Sequence, residues 1–236
     1  MFRFLCLNAF IGLNTVIFCI WGILISLFDK NGIIIHRYAA RPWAKTILWV
    51  CGVKLVVRGL ENLKYDSPQI FMSNHQSFFD IFVLLAGLPV DFKFILKKEL
   101  MKIPLFGTAM RRARYISIDR EDPRTAILSM NEAAEIIKTG AYVLIFPEGT
   151  RSVDGNVQDL KKGGFHLAMK SECDIIPLGV VKSRDIAPKG SLRIKKGTVF
   201  LNIGKAIRVK EYSKSMMDIL LRHTRESIIG LVKQEG

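Results

Sequence analysis

The chain has 236 residues, half of them apolar, and carries 35 basic against 21 acidic side chains, a net charge of +14. That length holds one domain with a full core plus an appendage, and the basic excess points to an anionic partner: nucleic acid, a membrane surface or a phosphorylated substrate. Mean hydropathy is nevertheless positive, so apolar and charged residues are segregated along the chain. The aromatics fall in apolar runs rather than between Lys and Arg, which favours a membrane and argues against nucleic acid. Cys6, Cys19, Cys51 and Cys173 form no C-x-x-C pair and read as reduced thiols. His36, His75, His166 and His223 are too scattered for a zinc site to be expected.

Residues 4–28 carry no charged side chain. As a helix they would extend roughly 37 Å at about 1.5 Å per residue, against a bilayer core about 30 Å thick. The run either spans with tilt or forms a helical hairpin dipping into one leaflet, since Asn8, Asn14, Thr15 and Ser26 dilute it. Lys30, Arg37, Arg41 and Lys45 follow it and only Arg3 precedes it. The positive-inside rule therefore expects an inner or cytoplasmic membrane with the rest of the chain on the cytoplasmic side. Residues 36–51 alternate basic and aromatic character, including Trp43 and Trp49. They suit either a headgroup layer or an ordinary amphipathic surface helix.

From Gly52 the pattern turns globular. Strands are expected at 53–57, 69–73, 92–96, 115–118, 141–146 and 175–181, with one or two more in 192–203. Helices are expected at 80–88, 103–112 (with Pro104 at its start), 122–140, 163–171 and 215–233. Strands alternating with helices argue for α/β architecture: a mixed, mostly parallel sheet flanked by helices, with an N-terminal apolar membrane-anchoring segment. The expected division is 1–50 for the membrane-associated segment and 51–236 for the α/β domain.

Three apolar strands end in polar clusters: Asn74 to Asp80, Asp119-Arg120, and Pro147 to Arg151. Loops after strand carboxyl ends are where open α/β sheets build sites. His75 and Asp80 stand five positions apart. An imidazole can take a proton from a hydroxyl, and a carboxylate can hold its tautomer, so the pair is two-thirds of a Ser-His-Asp triad whose hydroxyl the substrate can bring. Ser77 has no G-x-S-x-G setting and is not read as a nucleophile.

The ordered motifs resemble those of the glycerolipid acyltransferases. Asn74-His75-Gln76-Ser77-Phe78-Phe79-Asp80 is similar to the family's first motif, N-H-x-x-x-x-D. Lys97-Lys98-Glu99-Leu100 with Ile103-Pro104 and Phe106-Gly107, Ile118-Asp119-Arg120, Phe146 to Ser152, Lys161 to Ala168, and Ile175 to Gly179 resemble the later blocks in order. Gly164 stands where alanine is commoner. The resemblance covers residues 50–210 and is closest to the lysophosphatidate-acylating branch. It implies that a fatty acyl group passes from a thioester to the free hydroxyl of a lysophospholipid, with His75 as general base and Asp80 orienting it. It further implies that Arg151 binds the substrate phosphate, followed by Lys97 (or Lys98) and Arg120, the last equally readable as a salt-bridge residue. Gly149 and Thr150 belong to the same acceptor loop, and Glu148 either orients the acceptor hydroxyl or holds Arg151. Lys162, before a helix start, is a further anion candidate. His166 reads as a satisfied surface residue. The implied partners are membrane lipids (lysophosphatidate and anionic phospholipids) and acyl-CoA or acyl-carrier protein as donor substrate. A thiolate leaves readily, so no metal or cofactor is expected. Another lysolipid, glycerol 3-phosphate, or a non-catalytic lipid-binding role are the competing readings.

Overall fold

The structure, a computed structural model, describes residues 2–119 and 122–234. Helix α1 (Phe2–Ile25) ends in a tight turn at Ser26–Phe28. The chain then reverses around Asp29, whose carboxylate accepts the backbone N–H of Ile33 at 3.0 Å and of Ile35 at 2.8 Å. Those amides open the returning helix, where an acidic side chain satisfies orphan donors and meets the positive end of the helix dipole. Helix α2 (Ile33–Ile35) passes through a π-helical turn at His36–Ala40 into α3 (Arg41–Cys51), which Gly52 ends in a left-handed conformation. Residues 2–51 are therefore a helical hairpin, closed across its middle by Trp43 Nε1 donating to Thr15 Oγ1 at 3.0 Å.

The hairpin leads into β1 (Val53–Arg58), β2 (Ile70–Ser73), α4 (Phe79–Gly87), β3 (Phe92–Lys97), α5 (Phe106–Arg112), β4 (Ile116–Ile118), α6 (Pro123–Lys138) and β5 (Tyr142–Ile145). Then come α7 (Gly163–Ser171), β6 (Ile175–Val181), α8 (Ser183–Ile186), β7 (Gly197–Ile203) and α9 (Met217–Lys233). The seven strands lie in the order β1-β7-β6-β2-β5-β3-β4. All neighbours are parallel except β6 and β7. This is the mixed, mostly parallel sheet expected. Region 192–203 yields one strand rather than two. Helix α5 begins after Pro104 rather than at Ile103, because a residue preceding proline is pushed out of the helical region, and Ile103 sits at ψ 123.

Each buried strand sends alternate side chains to opposite faces. Phe71, Phe92, Leu144, Ile176 and Leu178 pack with α4 and with hairpin residues Ile35, Ala39, Trp43 and Ile47. Ile70, Met72, Val143, Ile145 and Ile175 pack with α6, α7 and α9 residues such as Ala134, Phe165 and Leu220. Gly164 belongs to this second layer: a Cβ there would stand 3.3 Å from Ile145 Cδ1 and Met72 Cε, so its glycine suits a close approach of α7 to the sheet.

Residues 36–51 pack partly inward and partly face out. Trp43 is buried edge-on against Phe82, His36 is fully buried, and Arg37 and Arg41 bind Asp91 and the carbonyls of Leu88 and Val90. Tyr38 and Trp49 stay outside, 58% and 80% exposed, with Lys45 exposed beside them. What the hairpin does present is an apolar outer face, with Leu13, Ile17, Leu24, Leu27 and Phe28 all exposed. Among the described residues Arg3–Phe28 is the one helix long and apolar enough to cross a membrane.

His36 makes the hairpin acid-sensitive. Burial, then the charge of Lys93, pushes its imidazole down from 6.5 to about 3. Between those values the unfolded chain binds a proton that the folded chain refuses. Stability is therefore whole above the unfolded pKa and falls as pH drops, by up to about 1.4 kcal/mol per pH unit. Denaturant titrations of wild type and His36→Phe at pH 7 and pH 5 should show the wild type losing more stability, with a nearly parallel pair of curves counting against this account.

Candidate active site

The site forms where β2, β3 and β5 end on the same side of the sheet. Asn74 closes the end of β2 by acting as a surrogate for β-backbone: its side-chain amide donates to the Val180 carbonyl at 2.9 Å, and its oxygen accepts Val180 N–H at 2.7 Å. The next residue, His75, is thereby turned out of the sheet. Asp80, fully buried in the first turn of α4, accepts on one oxygen from the backbone N–H of Gln76 at 2.7 Å and of Ser77 at 2.9 Å. The same Oδ2 stands 2.7 Å from His75 Nδ1. Oδ2 is the acceptor for both amides, and an N–H on Nδ1 completes the same pattern, which leaves Nε2 with its lone pair. Ser77 is occupied structurally, donating to the Ala187 carbonyl at 2.6 Å and accepting Phe79 N–H at 3.1 Å.

The imidazole face lies on Phe146, ring centres 3.9 Å apart and 17° from parallel. Its backbone is held from the opposite loop: His75 N–H donates to Glu148 Oε1 at 2.6 Å, and the His75 carbonyl accepts Ser152 N–H at 2.7 Å. Glu148 Oε2 accepts Gln158 N–H at 2.8 Å. Glu148 is thus buried, with each oxygen on a backbone amide, and burial raises its carboxyl above the usual range despite them. It braces the His75 loop and the 149–158 loop against each other. Neither sequence alternative described this arrangement.

A cavity of about 420 Å³ opens beside His75. Lys97, Gly149, Thr150 and Arg151 line it together with His75, so the structure brings these sequence candidates to one place. Gly149 holds φ +77, a conformation that favours glycine and turns the loop toward the cavity. Lys98 points elsewhere, pairing with Asp119 at 3.1 Å, so of the two lysines Lys97 is the one facing the site. Arg120 lies outside the described residues. Lys162 pairs with Asp218 at 2.7 Å, and His166 is exposed on α7. The rest of the wall is largely apolar: Ile81 and Leu85 from α4, Phe94 from β3, Ala109 and Met110 from α5, and Phe18, Cys19, Ile35, Ala39 and Trp43 from the hairpin. Sequence reasoning missed the hairpin wall and Phe146. The one available signal was that Ile35, Ala39 and Trp43 share a helical face. An imidazole held by a carboxylate, two cations in the lining and an apolar wall suit chemistry on an amphiphile with an anionic head.

The chain matches a family model described as Acyltransferase over residues 54–181, more than half of its length, and belongs to that family. It is 37% identical over 204 residues to the chloroplastic 1-acyl-sn-glycerol-3-phosphate acyltransferase LPAT1 of Arabidopsis thaliana, covering 86% of this chain and 55% of that protein. It is 33% identical over 180 residues to the 1-acyl-sn-glycerol-3-phosphate acyltransferase of Pseudomonas aeruginosa, covering 74% of this chain and 69% of that one. Its fold is similar to the crystal structure of the 1-acyl-sn-glycerophosphate (LPA) acyltransferase PlsC from Thermotoga maritima, with TM-score 0.81, 25% identity and coverage of 100% and 98%. The chain spans between half and two thirds of the plant relatives it matches, 55% of the Arabidopsis protein and 65% of its Brassica napus counterpart.

Proposed function

We propose that this chain is a 1-acylglycerol-3-phosphate O-acyltransferase, moving a fatty acyl group from a thioester to the sn-2 hydroxyl of lysophosphatidate to give phosphatidate. The observation that carries this is the 2.7 Å contact of His75 with Asp80 at the mouth of an apolar cavity that Arg151 also lines. His75 Nε2 takes the proton of the acceptor hydroxyl as its oxygen bonds to the thioester carbonyl carbon. The tetrahedral intermediate collapses, the C–S bond breaks, and the imidazolium returns the proton to the leaving thiolate. Asp80 keeps accepting the Nδ1–H hydrogen bond and so stabilises the imidazolium. Either acyl-CoA or acyl-carrier protein supplies such a thioester.

Arg151 binds the acceptor phosphate, where a planar guanidinium pairs bidentately with two oxygens, and Lys97 adds charge. Arg151→Lys is expected to raise KM for lysophosphatidate about tenfold with a smaller change in kcat, measured in steady-state titrations. An unchanged KM would remove Arg151 from the acceptor site. The apolar recess takes acyl chain, each buried CH₂ being worth about 0.8 kcal/mol. Ala109→Phe, which intrudes on that recess, should cut the rate with long-chain donors relative to short ones by about tenfold; an unaltered chain-length profile would place the acyl group elsewhere.

The exposed apolar face of the hairpin supports binding at a bilayer surface, so that acyl chains need not leave lipid, and the positive-inside pattern supports a cytoplasmic side. The deciding assay gives purified protein lysophosphatidate, other lysolipids or glycerol 3-phosphate with acyl-CoA or acyl-carrier protein. Transfer to no acceptor would sink the enzyme reading in favour of lipid binding. Preference for another acceptor would move the substrate assignment and leave the mechanism.

A further inference from the structure

A second concavity, of about 1230 Å³, lies along the sheet edge at β4. Its wall carries Lys30, Arg37, Lys98, Lys102, Arg111 and Arg114, with buried Lys93 among them, against the carboxylates of Asp91 and Glu132. Some of these cations have other tasks. Arg37 pairs with Asp91 at 2.6 Å and Lys98 with Asp119 at 3.1 Å. Lys93 Nζ donates to the carbonyls of Asn31, Gly32 and Ala113, clasping the hairpin to the sheet. Among the described residues Arg111 and Arg114 hydrogen-bond only neutral groups, the Met101 carbonyl and Thr108 hydroxyl for the first, the Lys30 carbonyl for the second. Among the described residues no carboxylate forms an ion pair with Lys30, Lys102, Arg111 or Arg114. Like charges gathered around one cleft repel each other and raise the local concentration of anions. Arg114 is moreover held at φ 58, a left-handed conformation that a non-glycine residue adopts at a penalty.

The groove adjoins the active site. Lys97 and Leu100 line the first cavity, Lys98 and Met101 line the groove, and Tyr115 lines both. A thioester seated by His75 therefore has a cationic cleft on the far side of one short segment. Tyr65, largely exposed, adds an aromatic face to the same groove.

We propose that this groove binds the nucleotide end of a coenzyme A thioester, its phosphates on the unpaired cations and its adenine against Tyr65. This rests on the acyl-transfer reading above and narrows its donor. A carrier protein offers acidic side chains on a convex surface and needs an open basic face. Cations lining a cleft beside an aromatic ring suit a small polyanion with a flat base.

Lys30 and Lys102 are exposed, so the double charge reversal Lys30→Glu/Lys102→Glu leaves the core untouched. In calorimetric titrations, adenosine 3′,5′-bisphosphate should bind the wild type and bind the double variant at least tenfold more weakly, with Tyr65→Ser also weakened. In turnover, the double variant should raise KM for acyl-CoA about tenfold with kcat little changed. Unchanged KM for acyl-CoA, an increase confined to acyl-carrier protein, or lost affinity only for phosphatidylglycerol vesicles would each overturn the assignment. A wild type that binds the bisphosphate yet transfers no acyl group from any thioester would overturn the function and leave the nucleotide groove in place.

Discussion

His75→Ala is expected to lose acyl transfer by about 10²–10⁴-fold in kcat, with KM for lysophosphatidate changed far less. The acceptor hydroxyl is a weak nucleophile at neutral pH, and among the described residues the only imidazole lining the cavity is that of His75. Substitution also removes the partner of Asp80 Oδ2, but two backbone amides remain on that oxygen. The carboxylate therefore keeps most of its solvation, and unfolding should move by no more than about 1–3 kcal/mol. Asp80→Asn separates orientation from proton transfer. The imidazole remains while the carboxylate that selects its tautomer does not, so the loss in kcat should approach that of His75→Ala, and the double variant should lose little more than either single one. Stopped or single-turnover assays at saturating donor provide the reading. Additive losses would mean that the two residues do not act as a unit, and full activity in His75→Ala would remove the mechanism.

Glu148→Gln is expected to cut kcat about 100-fold with little effect on KM for lysophosphatidate. The isostere keeps one oxygen but turns an NH₂ toward one of the two amides, His75 N–H or Gln158 N–H, that the carboxylate now satisfies. A misplacement of about 1 Å at the base is enough for a loss of that size. Stability should respond quite differently. Burial holds the Glu148 carboxyl above its usual range. A group raised in this way stabilises the fold fully below its unfolded pKa and loses that contribution as pH rises through the folded one. Wherever it is ionised, the buried carboxylate is thus a net burden, kept for position rather than stability. Removing it relieves desolvation and orphans an amide, opposing effects each of about 1–3 kcal/mol. The melting temperature should shift by only a few degrees while activity collapses. A rise in KM at constant kcat would instead make Glu148 an acceptor-binding residue, as one reading of the sequence had it.

The positions of the strands and helices could be read from the chain because local signals agree there. Asp122-Pro123 opens α6, and its side chain accepts Arg124 N–H as a cap. Residues 142–145 and 175–181 are continuous apolar runs because both faces of a strand inside the sheet are covered. The pairing of His75 with Asp80 was equally legible, since five residues at a strand-to-helix turn fix their separation locally. The difference between Lys97 and Lys98 was not: Lys97 ends β3 and lines the cavity, Lys98 opens the turn that follows and reaches Asp119 beyond β4, and only the neighbouring strand shows which.

By itself, then, the sequence determined what depends on near neighbours: the alternating elements, the strand-end polar clusters, and an apolar N-terminal run with a basic flank. Only the tertiary structure decided what that run does. Its length and composition allow either a rod or a hairpin. The turn capped by Asp29 and the clasp of Lys93 on three carbonyls fold residues 2–51 back onto the sheet. There Phe18, Cys19, Ile35 and Ala39 become a wall of the cavity, and Trp43 packs inward. The same holds for Glu148, a charged residue in a cationic motif that turns out to be a buried brace. Contacts between residues far apart in the chain are set by which surfaces the folded layers bring together, and hydrophobic periodicity carries no record of that choice.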